Sequence, residues 1–386
     1  MKKLYYISYY KDTGSQSSRD AVPAAVNKMR FITDVLKDIG CDVEILSLSG
    51  TKNRSDFYKK YPAFTENTEG TCVRFFDRYA SSFKPLRYLL RKYSELKIKK
   101  AIVNTIGNDD KVILYHSLGA LYLIKAFRRR HIPFILEAEE VYSDVTGDVR
   151  RRAKELKLMR MADGYLFPTA MLGSLINADG RPEAIIHGVY RNERRLAETK
   201  FGAADGEGRI HCVYAGTFDP RKGGSCAAVL AAAELDRRYH VHIIGFGTEC
   251  DTAKLRELID RVSETTEAKV TYDGLKTGDE YLRFIQSCDI GLSTQDPSAA
   301  FNETSFPSKI LSYLSNGLEV VSIRIPAVEN SAVGRYVHYY DSQTPEAIAD
   351  AIRSVDITKP SDPGKLLDSL SEEFGNDLKK LLESVR

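Results

Sequence analysis

Val213-Tyr-Ala-Gly-Thr-Phe-Asp-Pro-Arg-Lys-Gly-Gly224 is the stretch that fixes the class of this chain. A β-prone run, His211–Tyr214, ends near a glycine. A short loop then carries Arg221 and Lys222, and Gly223 and Gly224 open an alanine-rich helix that reaches Leu235. Strand, glycine turn and helix in this order form the repeating unit of a parallel sheet.

The same alternation continues in both directions. Downstream, strands are predicted at Val241–Ile244, Val270–Tyr272, Ile290–Ser293 and Glu319–Ser322. Helices at Thr252–Val262, Asp279–Gln286, Pro307–Ser315 and Pro345–Val355 separate or follow them. Upstream, strands are predicted at Leu4–Tyr10, Asp42–Leu48, Val112–His116, Phe134–Ala138, Gly164–Pro168 and Ala184–His187. Helices Ala21–Ile39 and Leu118–Arg129 fall between them. The expected fold is α/β, two Rossmann-like doubly wound domains facing a cleft. Residues 1–190 form the first domain. Residues 191–208, polar and glycine-containing, read as a linker. Residues 209–361 form the second domain, and 362–386 a terminal amphipathic helix that packs back on the first. Asp362 is its expected cap, with Pro363 at the first helical position.

Composition narrows the class. The 386 residues suit about two α/β domains, and a hydrophobic content of 43% supplies two cores. No apolar run reaches the ~18 to 20 residues of a membrane span. The start, Met1-Lys-Lys-Leu-Tyr-Tyr6, meets Lys11 and Asp12 too early for a signal core and reads as strand. Six scattered cysteines, without a CxxC, read as reduced thiols and a cytoplasmic setting. Charge is uneven. Residues 1–190 hold 32 Lys and Arg against 22 Asp and Glu, and residues 191–386 hold 24 against 31. The excess in the first half gathers in Arg150–Arg160 and in Lys84–Lys100, where Leu86, Tyr88, Leu89, Leu90 and Tyr93 recur at helical spacing. Two readings of Lys84–Lys100 stay open: an amphipathic helix resting on an anionic membrane surface, or a solvated face beside a core stripe. No nucleic-acid-binding module accompanies the basic patches.

Two constellations could carry chemistry. In the turn at Gly216–Gly224, cations and a helix N-terminus offer a diphosphate what it needs, while glycine lets backbone approach closely. An ordinary βα turn with two exposed cations is the competing reading. The second constellation is the loop from Phe301 into the helix at Pro307. It presents Glu303, Thr304, Ser305, Ser308 and Lys309 at one helix end. Hydroxyls and a carboxylate fit a sugar, and Lys309 fits a phosphate. A solvated loop is the competing reading. A dinucleotide fingerprint is excluded, because Gly245-Phe-Gly247-Thr-Glu-Cys250 lacks its third glycine.

In order, these motifs carry a resemblance. They are Ala215-Gly216 with Arg221-Lys222-Gly223, Ile243-Ile-Gly-Phe-Gly247, Val270-Thr-Tyr-Asp-Gly274, Cys288-Asp-Ile-Gly-Leu292, and Leu314-Ser-Asn-Gly-Leu-Glu-Val-Val321. Residues 205–355 resemble the nucleotide-binding domain of the GT-B retaining glycosyltransferases, the glycosyl transferases group 1 (family 4-like) enzymes. The family places two glutamates eight residues apart in its last motif. Here Glu303 stands one residue out of register and Ser312 occupies the second position. Met161–Phe167 and Ile185–Val189 resemble the strands that precede the interdomain crossing.

The resemblance implies transfer of a sugar, with retention, from a nucleotide-diphosphate sugar to a glycan or polyprenyl-linked acceptor, in surface polysaccharide or glycoconjugate synthesis. It implies no cofactor and no essential metal, and no DxD motif is present. The donor set is Gly14, Gly216, Thr217, Arg221, Lys222, Gly245, Gly247, Thr304, Ser305, Lys309 and Ser312. The catalytic candidates are Glu303, Glu139, Glu140 and His116. The expected location is cytoplasmic, at the inner face of the membrane. An epimerase or hydrolase on the same fold, or a non-catalytic sugar-nucleotide binder, is the alternative.

Overall fold

The computed structural model describes residues 3–385 except 13, 14, 16, 21, 22, 52–55, 222, 298–301 and 303. The chain divides into two units. Unit 1 is Met1–His187 with Glu372–Arg386, and unit 2 is Gly188–Ser371.

Unit 1 contains β1 (Lys3–Ser8), β2 (Asp42–Ser47), β3 (Lys59–Tyr61), β4 (Phe64–Thr68), β5 (Thr71–Phe75), β6 (Arg78–Ala80), β7 (Lys111–Tyr115), β8 (Ile135–Glu137), β9 (Gly164–Phe167) and β10 (Glu183–Ile185). Its main sheet has the order β10-β9-β8-β7-β1-β2-β5-β4. All pairs are parallel except β4 with β5. Helices cover both faces, so central strands are apolar on both sides: Leu4, Tyr6 and Ile7, or Ile113 and Leu114, are all buried. Chain order reverses between β1 and β7, and the loops leaving these strands flank the switch point. In the C-terminal helix Gly364–Ser384, Phe374 stacks on Phe31 of the helix Pro23–Asp38 at 6.1 Å. The nearby carbonyl of Val385 accepts from Lys111.

Strands β3 to β6 were not anticipated. Glu69 and Gly70 both take positive φ (49° and 74°), the geometry of a two-residue hairpin turn. Phe64 stacks on Phe75 across that hairpin at 4.4 Å. The helix Lys84–Thr105 does form, but it has no core stripe through its first turns. Only Ser94, Ile98 and Ile102 are buried, while Tyr88, Leu89, Tyr93 and Leu96 are 45–63% exposed.

Unit 2 contains β11 (Ile210–Thr217), β12 (Tyr239–Phe246), β13 (Lys269–Gly274), β14 (Ile290–Ser293), β15 (Glu319–Ile323) and β16 (Val337–Tyr340). They form one parallel sheet ordered β13-β12-β11-β14-β15-β16. Its switch point lies between β11 and β14. Segment 191–208 is fastened along this unit. The Gln286 side chain accepts from the Leu196 and Ala197 amides, and the Glu193 amide donates to Ser315. Glu319, the first residue of β15, is buried. Its carboxylate accepts from the Ser361 amide and hydroxyl (2.5 and 2.9 Å) and pairs with His338 at 3.1 Å.

Candidate functional site

In unit 2 the two constellations meet. Gly216, next to last in β11, lies beside Gly245 of β12, in register. Gly245 has φ +135°, and a Cβ there would stand 1.8 Å from the Gly216 carbonyl oxygen. The two strand ends thus run backbone against backbone. Gly247 continues the approach, with a would-be Cβ 2.9 Å from Phe218 Cβ. Lys309 arrives from the helix Ser308–Ser315. Its ammonium lies 3.8 Å from the centre of the Tyr214 ring and 3.3 Å from where a Gly216 Cβ would be. Gly216, Gly245 and Lys309, far apart in sequence, are brought to one end of the sheet.

Two helices begin there. Gly224–Ala231 starts after Gly223 in the left-handed conformation, and Ser308–Ser315 starts after Pro307. Neither has a side-chain cap among the described residues. Their first-turn N–H groups and positive dipole ends suit an anion. The Thr294 hydroxyl, just past β14, donates to the Gly224 carbonyl at 2.7 Å and ties the two loops together. Beneath them, the buried Tyr313 hydroxyl accepts from the Ala215 amide (2.9 Å) and donates to the Leu292 carbonyl. Gly291 makes room for this ring, since a Cβ there would meet Tyr313 at 2.3 Å.

The remaining donor candidates differ in state. Arg221 forks onto Asp219 (3.0 and 2.6 Å), so its guanidinium is already engaged. Thr217 is exposed at the strand end, and Thr304 and Ser305 are half-buried. Ser312 shares a 3.0 Å hydrogen bond with the Tyr281 hydroxyl, whose pKa burial pushes up. Gly14, Lys222 and Glu303 lie outside the described residues.

In unit 1 the candidates gather at the carboxyl ends of β7 and β8. The His116 side chain is closed off and bonds through Nε2 to Glu155 at 2.8 Å. Glu155 also accepts from the Tyr142 and Ser143 amides, both at 2.9 Å. Burial alone would raise the Glu155 carboxyl. Hydrogen bonds from His116 and Ser143 outweigh it and hold the group below its ordinary range. His116 therefore braces the turn into the following helices. Glu139 is ion-paired with the nearly buried Lys28 at 2.6 Å, and Glu140 is half-buried beside it.

Reading the sequence missed Glu137, Glu155, Lys28 and Tyr313. Glu137 is wholly buried, and the Tyr6 hydroxyl donates to it. Burial, then the Glu139 charge, push its carboxyl well up, with Lys28 opposing them. A carboxylate inside the apolar run Phe134-Ile-Leu-Glu-Ala138 was the available signal for Glu137. A glycine inside β14 was the signal for a large neighbour such as Tyr313.

No protein-family model and no curated protein sequence matches the chain. Solved structures do. HepE of Anabaena, in complex with UDP and glucose, has a TM-score of 0.69 at 12% identity, with 100% of each chain covered. An α,α-trehalose-phosphate synthase (UDP-forming) of Burkholderia xenovorans, in complex with glucose-6-phosphate, has 0.69 at 12%, covering 99% of this chain and 100% of its own. An E. coli structure bound with UDP-2-fluoro glucose has 0.66 at 9%, covering 99% and 97%. The fold of this chain is theirs, the α/β GT-B fold with two Rossmann-like domains.

Proposed function

We propose that this chain is a glycosyltransferase whose nucleotide-diphosphate sugar sits at the β11/β14 switch point of unit 2. One observation carries the reading. Gly216, Gly245, Lys309 and two helix starts, uncapped by any side chain among the described residues, converge where an open parallel sheet of this kind binds ligands. The ligands of the similar structures, UDP with glucose and UDP-2-fluoro glucose, support a UDP-sugar as donor.

The chemistry follows from charge. The bond from the sugar's anomeric carbon to the diphosphate breaks as an acceptor oxygen bonds to that carbon. The acceptor's proton leaves with the diphosphate. Lys309 and the two helix starts of unit 2 would meet the growing negative charge. No step calls for a metal. We assign transfer with retention, to a glycan or polyprenyl-linked acceptor in surface polysaccharide or glycoconjugate synthesis. The exposed aromatic and basic face of Lys84–Thr105 supports an acceptor at an anionic membrane surface, with Phe57 and Phe83 stacked and exposed beside it.

The test is a screen of UDP- and GDP-sugars with polyprenyl-pyrophosphate glycans. Lys309→Ala should weaken UDP binding at least ~10-fold, the scale of one charge-assisted contact, with an unchanged melting temperature. Unchanged binding would remove the donor assignment. Sugar turnover without acceptor would instead indicate an epimerase or hydrolase. Salt-sensitive sedimentation with anionic liposomes tests the membrane face.

A further inference from the structure

At the other end of the same sheet lies a group that the transfer reaction does not use. His211 stands near the start of β11, and His240 and His242 near the start of β12. His211 and His240 are directly paired, so all three rings project from one face of the sheet. All three are buried, and one nitrogen from each lies within 4.8 Å of the other two. The Phe201 ring covers His211 and His242 at 5.3 and 5.5 Å. Phe284 meets His242 edge-on at 5.2 Å.

The surrounding hydrogen bonds assign the protons. Asp205 lies 3.2 Å from His211 Nε2, and Asp273 lies 3.0 Å from His242 Nδ1. Each carboxylate accepts, which places the ring proton on the outer nitrogen. The Thr271 hydroxyl donates to Asp273 at 2.7 Å. It can then only accept from His240 Nε2, 2.9 Å away. Every imidazole so gives its N–H to an outer partner and keeps one lone pair. The lone pairs of His211 Nδ1 and His242 Nε2 confront each other at 2.8 Å. Two acceptors at that distance repel unless something positive stands between them.

We propose that His211, His240 and His242 bind a divalent transition metal, zinc above all, with Asp205 and Asp273 as outer carboxylates that orient the ligand rings. Three imidazoles suit zinc, copper or nickel. Carboxylate-to-histidine hydrogen bonds are the usual second layer of such sites. Two carboxylate charges also balance a dication. Zinc–nitrogen bonds of ~2.0 to 2.1 Å in a tetrahedron put ligand nitrogens about 3.3 Å apart, so the facing pair opens by roughly 0.5 Å. A solvent oxygen takes the fourth position. The metal is structural: it pins Phe201 and Asp205 to the sheet, at the strand starts rather than the strand ends where the donor loops gather.

The experiment uses the untagged full chain, stripped with a chelator and titrated with ZnCl2 or CoCl2. One equivalent should bind. The melting temperature should rise with free metal, and Co2+ should show the visible bands of four-coordination. Asp273→Asn should weaken binding about 10- to 100-fold, and His240→Gln with His242→Gln should abolish it. If that double variant fails to fold, paramagnetic Co2+ shifts in the wild-type protein locate the ion without any substitution. Shifts at His211, His240 and His242 uphold the site. Substoichiometric binding, or shifts at His116, His131, His187 or His338 instead, would overturn it.

Discussion

Replacing Gly245 by alanine tests the contact on which the donor site is built. The added Cβ would lie 1.8 Å from the Gly216 oxygen, 2.8 Å from its carbonyl carbon and 3.2 Å from its nitrogen. All three atoms are backbone of the adjacent strand, so no side-chain rotation relieves the clash. Contact needs roughly 3.5 Å, so the strand ends must part by well over an ångström. Holding alanine at φ +135° costs about 1–3 kcal/mol, and forced overpacking about 1–3 more. Together that is roughly 2–6 kcal/mol, a large fraction of the ~5–15 kcal/mol of a typical domain. Gly274→Ala supplies the control. Its φ is +80°, but nothing lies within 4 Å of the added carbon, so only the left-handed cost of about 1–2 kcal/mol applies. Amide hydrogen exchange in β11 and β12, read with UDP binding, separates the two. Gly245→Ala should accelerate exchange near Gly216 and lose nucleotide affinity, while Gly274→Ala does neither. Equal effects would refute the close approach.

Three further outcomes are expected. Tyr313→Phe leaves the buried Ala215 amide without its acceptor and should destabilise unit 2 by about 1–3 kcal/mol, with faster exchange at that amide. Glu155 has a folded pKa below its ordinary 4.5, so its support is present above that pH and is lost as pH falls through the lower folded value. Glu155→Gln should therefore lower the melting temperature at pH 7 and flatten its fall toward pH 3; parallel melting curves would contradict the bond pattern at His116. Glu137 behaves in the opposite sense. Its folded pKa is raised, so stability is full below 4.5 and declines as pH rises through the folded value. Glu137→Gln should match the wild type near pH 4, exceed it increasingly between about 4.5 and about 8, and keep a constant lead above that, as differential scanning calorimetry would show.

The doubly wound sheets were legible because parallel strands covered on both faces are nearly pure apolar runs, as in Val213–Tyr214 or Val112–Leu114. The glycine pair at Gly216 and Gly245 was legible because strand-terminal glycines mark backbone approach. Strands β3 to β6 were not, since β4 alternates half-buried and exposed polar residues at a sheet edge and has little apolar pattern. Side-chain pairings were also hidden. Nothing in the spacing of His116 and Glu155 tells that a strand-end histidine meets a carboxylate from a later helix. The basic segment Lys84–Lys100 displayed helical periodicity, but periodicity alone does not tell which side has a neighbour. Tyr88 and Leu89 turned out to have open surroundings.

Glu319 gives unit 2 a fixed datum. Its carboxylate fastens Ser361 to the first residue of β15, three positions before the terminal helix begins at Gly364. Everything between β15 and Ser361, including β16 and the helix Pro345–Arg353, is therefore enclosed in a loop closed by one buried acid. Insertions or deletions in the surface turns of that loop would be absorbed inside it. The start of the terminal helix at Gly364 would stay where Ser361 sets it.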